Sequence, residues 1–251
     1  MKLLFLDVET APNLATVWSI WNQNIGINQL LETSRVMCFS AKWQGEKEVI
    51  FDSEVKDGHK HMVEHLHRLL SRADVVCHYN GNKFDLPVIN REFLLYGMPP
   101  PDPYKSIDLY QIIKRRFRFV SNKLDHVAQE LKLGRKVKHE GHELWLKCMA
   151  KDEGAWSRME RYNRQDVLLL SRLYLRTLPW IDNHPNRALY GDHSTDMVCP
   201  NCGSTHVIKK GVEHLKTRSY QRYRCKKCGT PIRGVKSIHN TTVAITQAVG
   251  A

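Results

Sequence analysis

The sequence predicts an α/β domain, a mixed sheet flanked by helices, followed by a small four-cysteine zinc ribbon. Three observations carry this expectation. Strand-like segments come early in the chain and helix-like segments late. Four of the seven cysteines fall into two C-x2-C pairs near the C-terminus, and the positive charge is concentrated in the same region.

Residues 2–8, 35–43 and 47–52 read as strands, apolar and rich in β-branched or aromatic side chains. Residues 59–71 read as an amphipathic helix, 74–79 as a short buried strand and 85–97 as a helix stopped at Gly97. Further helices are expected at 107–118, 122–132, 141–150 and about 155–178. No internal repeat is present. A polar stretch rich in Asn, Asp, Pro, Gly and His suggests a linker at 182–197, which divides a body of residues 1–181 from a ribbon of 198–236 and a tail of 237–251.

The chain has 251 residues, enough for one core of about 150 to 200 residues and a small appendage. No apolar run approaches the ~20 residues that span a bilayer. The opening "MKLLFLDVET" meets a carboxylate after four apolar residues, too soon for a signal-peptide core, so a cytoplasmic protein with no membrane partner is expected. The net charge is +12, and residues 197–251 hold ten Lys/Arg against one acid, Glu213. The body is nearly balanced. A polyanionic partner, of which nucleic acid is the commonest, fits such a distribution.

In "CPNCG" and "CKKCG", Cys199, Cys202, Cys225 and Cys228 supply four thiolates, and Gly203 and Gly229 let the backbone fold under each knuckle. One tetrahedral Zn²⁺ with no open position is the expected occupant, structural rather than catalytic. Two redox pairs would need a βαβ setting that is missing. Within the ribbon, Tyr220 and Tyr223 interleave in sequence with Arg222 and Arg224, so bases could stack while guanidiniums hold phosphates.

In the body, Asp7 and Glu9 end an apolar strand, and period-two alternation puts both on one face. Two carboxylates about 4 Å apart repel by about 4 kcal/mol at an effective dielectric of 20, which a divalent cation would convert into binding. Asp85 follows a Gly-Asn turn at the start of a helix. Tyr162 and Asp166 lie one helical turn apart, and from these two residues alone a surface Tyr beside a solvated Asp is the plainer account.

Taken together these segments carry a resemblance. "LDVET", "YNGNKFDLP" and "YNRQD" resemble, in order, the three motifs of the DEDD superfamily of 3′→5′ exonucleases in its tyrosine form, residue 161 being arginine rather than histidine. The segment "SIDLYQIIKRRF" to "SNKLDHVAQELKLGRK" is similar to the one that such enzymes and the proofreading domains of family B polymerases carry between the second and third motifs. The resemblance implies an RNase H-like fold and removal of 3′-terminal nucleotides with two Mg²⁺ or Mn²⁺ ions held by Asp7, Glu9, Asp85 and Asp166. Tyr162 would then orient the attacking water, and Asn80 would steady site or substrate. DNA is expected over RNA as the partner. An RNA exonuclease is the near alternative, and a non-catalytic nucleic-acid-binding protein the distant one. "CPNCGSTHVIKKG" resembles the zinc ribbon of some insertion-element transposases, which implies nucleic acid as its ligand, a protein partner being the other choice.

Other segments divide between function and plain structure. His61 and His65 are a helical pair read as a solvated face; "KRRFRF" could track phosphates or end a helix; Trp18 and Trp21 could form a wedge at a terminal base pair or belong to the core.

Overall fold

The structure, a computed structural model, describes residues 1–56, 58–191 and 197–241. Strand β1 (Leu3–Thr10) leads into a two-stranded ribbon of β2 (Leu14–Ala15) and β3 (Leu30–Glu32). Next come β4 (Val36–Trp43), β5 (Ile50–Ser53), α1 (His59–Ser71), β6 (Val75–His78), α2 (Asp85–Leu95), β7 (Lys105–Asp108) and α3 (Leu109–Arg116). Helices α4 (Leu124–Glu130), α5 (His142–Met149) and α6 (Glu153–Thr177) complete the body. Its sheet has the order β5-β4-β1-β6-β7, antiparallel from β5 to β1 and parallel from β1 to β7.

Strand β1 lies at the centre, and its alternation sorts the molecule into two layers. Leu4, Leu6 and Val8 face a core made with Phe39 of β4 and with Leu66, Leu70, Ile89 and Phe93 of α1 and α2. Each such side chain contributes about 1.5 to 3 kcal/mol on burial. Leu3, Phe5, Asp7 and Glu9 share the other face. There the Phe5 ring meets Tyr174 of α6 edge-on at 5.3 Å, so the carboxylates two and four residues further on lie along the same helix. Helix α2 ends as expected before Gly97, whose φ of +66° is the left-handed stop, with Met98 N donating to Phe93 O at 2.9 Å.

Two expectations are corrected. The helix expected from 107 begins at Leu109, because residues 105–108 form the edge strand β7, and Asp108 caps α3 by accepting from Tyr110 N at 3.0 Å. A four-residue strand feeding directly into its helix leaves no alternation to read. The ribbon β2–β3 was also unforeseen, and the loop it carries exposes Trp18 and Trp21, which are therefore not core. His65 of α1 bonds the buried Asp52 through Nδ1 at 2.8 Å, while Met62, Leu66, Leu69 and Leu70 are buried as the pattern required.

Contacts divide the chain into a unit of Lys2–Tyr174 and a second that holds Met1 and begins again at Leu175. In the second, β8 (Val207–His214), β9 (Arg218–Cys225) and β10 (Pro231–Asn240) form an antiparallel sheet in the order β10-β9-β8. The turn after α6 is tied to the first cysteine knuckle, where Asn201 Nδ2 donates to Leu178 O at 2.8 Å and to Ile181 O at 3.3 Å. Residues 237–240, read as tail, belong to β10; 192–196 of the linker and 242–251 of the tail lie outside the described residues. No helix among the described residues is long and apolar enough to cross a membrane.

Candidate active site and metal centres

The carboxylates converge because three different elements bring them to one end of β1. Asp7 and Glu9 stand on the α6 side of the strand, and Asp166 projects from α6, so that one oxygen of each lies within 4.8 Å of the others. Asn163, one turn before Asp166, donates from Nδ2 to Asp7 Oδ2 at 2.7 Å and fixes strand against helix. Asp85 is the one expected ligand outside this trio. Its Oδ1 accepts from Val8 N at 3.3 Å, beyond the point where the β1–β6 pairing ends at Phe5 and Cys77. It is still close enough to add to the repulsion felt by Asp7 and Glu9.

The loop that delivers Asp85 explains its own sequence. Asn80 takes a φ of +65°, a left-handed conformation that Asn tolerates better than most residues, and its N–H donates to Asp108 Oδ1 at 2.8 Å. A Cβ on Gly81 would lie 2.6 Å from the His78 ring and 3.0 Å from Asp85 Oδ2, so this position admits no side chain. His78 itself is buried, accepts from Gly81 N at 3.0 Å and bonds Ser106 Oγ at 2.8 Å. Asn80 thus has a backbone reason for its place in the motif.

Besides Asn163, three residues around Tyr162 and the carboxylates were missed. Lys136 lies just past α4; its Nζ donates to Asp166 Oδ2 at 2.5 Å and to the Tyr162 hydroxyl at 3.1 Å. His139 packs on the Tyr162 ring with centroids 4.7 Å apart, and Trp145 closes the same cage at 6.0 Å. The tyrosine is buried, which excludes the surface-Tyr account. A lysine in "GRKVKHE" has no spacing relative to α6 that sequence could reveal; only the fold sets it there.

Burial is the largest influence on the acids. It raises Asp7 well above the usual carboxylate range, helped by Asp166, Glu9 and Asp85, and with Asp166 it pushes Glu9 up to about 8. Burial lifts Asp85 to about 6 against the hydrogen bond from Val8, and raises Asp166 against the opposing pull of Lys136. Burial also raises the Tyr162 phenol, with Glu9 and Asp166 adding to it, so the hydroxyl keeps its proton. Lys136 stays charged, since burial opposes its ammonium but Asp166, Tyr162 and Asp7 outweigh it. A divalent cation fits this group. The carboxylates repel one another, and Asp166 Oδ1 is buried with no hydrogen-bond partner.

The cysteines form a second donor group by a local route. All four Sγ atoms lie within 4.8 Å of one another, and the pairs Cys199–Cys228 and Cys202–Cys225 are 3.6 Å apart. Tetrahedral Zn–S bonds of about 2.3 Å imply sulfurs about 3.8 Å apart. Gly203 and Gly229, at φ +72° and +84°, turn each knuckle so that their N–H groups donate to Cys199 O and Cys225 O at 2.8 and 3.0 Å. The four thiols therefore fit one Zn²⁺.

On β9 one expectation needs correction. Arg218, Tyr220, Arg222 and Arg224 are spaced by two and share a face, whereas Tyr223 lies on the opposite face with Cys225. Arg233 of β10, paired with Arg222, stacks over Tyr220 at 5.0 Å. Tyr220, and not Tyr223, is thus the aromatic among the guanidiniums.

A central strand with two acids, met by a third from a long helix across a mixed five-stranded sheet, is a donor group that fits divalent cations. The family model for the RNase H superfamily matches residues 4–178, and the chain belongs to that superfamily. Among solved structures it is similar to a family B DNA polymerase from the hyperthermophilic archaeon Pyrobaculum calidifontis, with 18% identity and a TM-score of 0.55 over 71% of this chain. That likeness concerns the fold, and the match covers 24% of the polymerase. Comparison with curated proteins gives no match. Membership in the superfamily and the clustered acids support nuclease chemistry on nucleic acid in general.

Proposed function

We propose that this chain is a 3′→5′ exonuclease that hydrolyses terminal phosphodiesters of single-stranded DNA or DNA 3′ ends. The observation that carries the reading is the convergence of Asp7, Glu9 and Asp166 beside Tyr162 and Lys136. Asp7, Glu9 and Asp166, with Asp85 at the rim, would hold two Mg²⁺ or Mn²⁺ ions. When bound, these ions supply charge neutralisation at the phosphate and an activated water. Tyr162 presents a neutral hydroxyl, fixed by Lys136 and by its aromatic cage, to orient that water. Lys136 opposes the upward pull of burial on Asp166 and holds its carboxylate in place. Asn163 holds Asp7 in its rotamer, and Asn80 shapes the loop that carries Asp85. The zinc ribbon adds affinity through the arginine face of β9.

The deciding experiment is digestion of matched 5′-labelled and 3′-labelled DNA and RNA oligonucleotides with Mg²⁺, with Mn²⁺ and with EDTA. The expected result is a ladder from the 5′ label and mononucleotide from the 3′ label, on DNA faster than on RNA, abolished by EDTA. Internal cuts would replace the exonuclease with an endonuclease, and faster loss of RNA would move the substrate to RNA.

A further inference from the structure

In a chain a quarter of whose residues are charged, residues 11–31 contain no Asp, Glu, Lys, Arg or His. They form the β2–β3 ribbon and its loop, and apolar side chains crowd the tip. Trp18 is 98% exposed, Ile27 89%, Ile20 77% and Trp21 76%. Burial of any of these would be worth about 1.5 to 3 kcal/mol, so leaving them in water is a cost that folding alone does not explain.

The tip is built to hold its shape. Thr16 N donates to Gln29 O at 2.9 Å and Gln29 Nε2 returns to Thr16 O at 2.9 Å. Gly26 N reaches Gln29 Oε1 at 2.8 Å, and Trp21 N bonds Ser19 Oγ at 3.3 Å. The neck is pinned as well, by Ala11 N to Arg35 O at 2.8 Å and Ser34 N to Asn13 Oδ1 at 2.6 Å.

Its position says what it meets. The ribbon grows out of the end of β1 that carries Asp7 and Glu9, in continuation of the β1–β4 ladder that closes at Thr10 and Val36. Trp18 lies nine positions beyond Glu9. Even a fully extended chain of that length places the indole within about 32 Å of the carboxylates, a span of several nucleotides. With no cation the tip offers phosphates no opposite charge, so its exposed aromatic surface is the stronger attraction. Bases are flat, uncharged and presented by a single strand, and stacking on an indole contributes about 1 to 3 kcal/mol per base.

We propose that Trp18 and Trp21 form a stacking surface for the bases of a single-stranded nucleic acid whose 3′ end lies at the carboxylate site. This rests on the nuclease reading of that site. The test uses the full, zinc-loaded chain carrying Trp18→Ala and Trp21→Ala together, with the Trp18→Phe, Trp21→Phe pair as aromatic rescue. Hydrolysis of a short oligothymidylate is followed for kcat and KM. Tryptophan quenching is followed on an Asp7→Ala background that keeps the strand intact, with an abasic strand of equal length as control.

The expected result is quenching by oligothymidylate and much less by the abasic strand. KM should rise by at least roughly fivefold in the alanine pair with kcat held, and the phenylalanine pair should recover it. If the native chain hydrolyses the strand and the alanine pair leaves KM unchanged, the stacking surface is rejected and the nuclease reading stands. If nothing is hydrolysed but the quenching occurs and is lost in the alanine pair, the stacking surface stands and the nuclease reading falls. Neither hydrolysis nor quenching overturns both, and an alanine pair that only converts a dimer to a monomer assigns the tip to a second copy of the chain.

Discussion

The two donor groups of this protein are assembled in opposite ways. The carboxylates come from residues 7, 9, 85 and 166, and three elements of a packed α/β domain must dock before they meet. The cysteines come from two short knuckles, each closed by its own glycine, on a three-stranded sheet rich in exposed Lys and Arg with few buried side chains. On the proposed reading, the fold creates the first site and bound ions would supply its function, whereas in the second a bound metal would supply much of the fold, as small ribbons with little apolar core require.

The sharpest way to break this contrast is to remove one donor from each side. Asp7→Ala should lower exonuclease turnover by roughly 10³-fold, since several kcal/mol of transition-state stabilisation go with the ions, while the melting temperature of the body stays level or rises as a buried repulsion is relieved. Cys225→Ser should do the reverse, releasing zinc and unfolding the ribbon while kcat is held, as read by a zinc-release dye and circular dichroism. Turnover unchanged in the first variant, or a ribbon folded without zinc in the second, would collapse the distinction.

A smaller effect is expected at the tyrosine. Tyr162→Phe keeps the ring in its cage and removes one hydroxyl, so kcat should fall by roughly 10²-fold with KM nearly constant. Lys136→Met should act in the same direction, because Asp166 and the tyrosine hydroxyl lose a common anchor. A kcat equal to that of the native chain in both variants would leave this pair a structural role only.

On the ribbon, Arg222→Glu with Arg224→Glu should raise KM and reduce the salt slope of binding by about 0.7 for each phosphate that is no longer neutralised. Lys209→Glu, whose residue pairs with Tyr223 on the opposite face, should do much less. Equal effects from both faces would mean general charge rather than one binding face.

The subtlest expectation concerns pH. Glu9 rises from 4.5 to about 8 and Asp85 from 3.8 to about 6 on folding, so the folded chain without Mg²⁺ or Mn²⁺ binds more protons than the unfolded one between those values. Its stability should therefore fall as pH rises from about 4.5 to about 8. Divalent cations must displace these protons, so their affinity should climb over the same range, and proton release is read by calorimetry in buffers of different ionisation enthalpy. A pH-independent affinity would remove the carboxylates from the binding site.

Much of this site was legible beforehand, and the limits have physical causes. Asp7 and Glu9 stood out because strand alternation is a local rule. Helical spacing put Tyr162 and Asp166 on one face but by itself favoured a solvated pair, and only the resemblance of three motifs in order singled them out; the cysteines stood out because both knuckles are local. Lys136, His139 and Trp145 were not legible, since they reach Tyr162 only through the packing of segments that flank α6 in space. Residues 107–108, the end of β7, were read as the start of a helix because four residues running into an N-cap leave no period. Tyr223 was grouped with the arginines from composition, although the parity of β9 places it on the other face.

The central claim is that Asp7, Glu9 and Asp166 form a divalent-cation site. It is tested most directly by titrating the zinc-loaded chain with Mn²⁺ and following free ion by electron paramagnetic resonance, native chain against Asp7→Asn. Saturable Mn²⁺ binding that is lost or greatly weakened in Asp7→Asn, with the ribbon still folded, is the predicted result; identical titrations of the two proteins would contradict the claim.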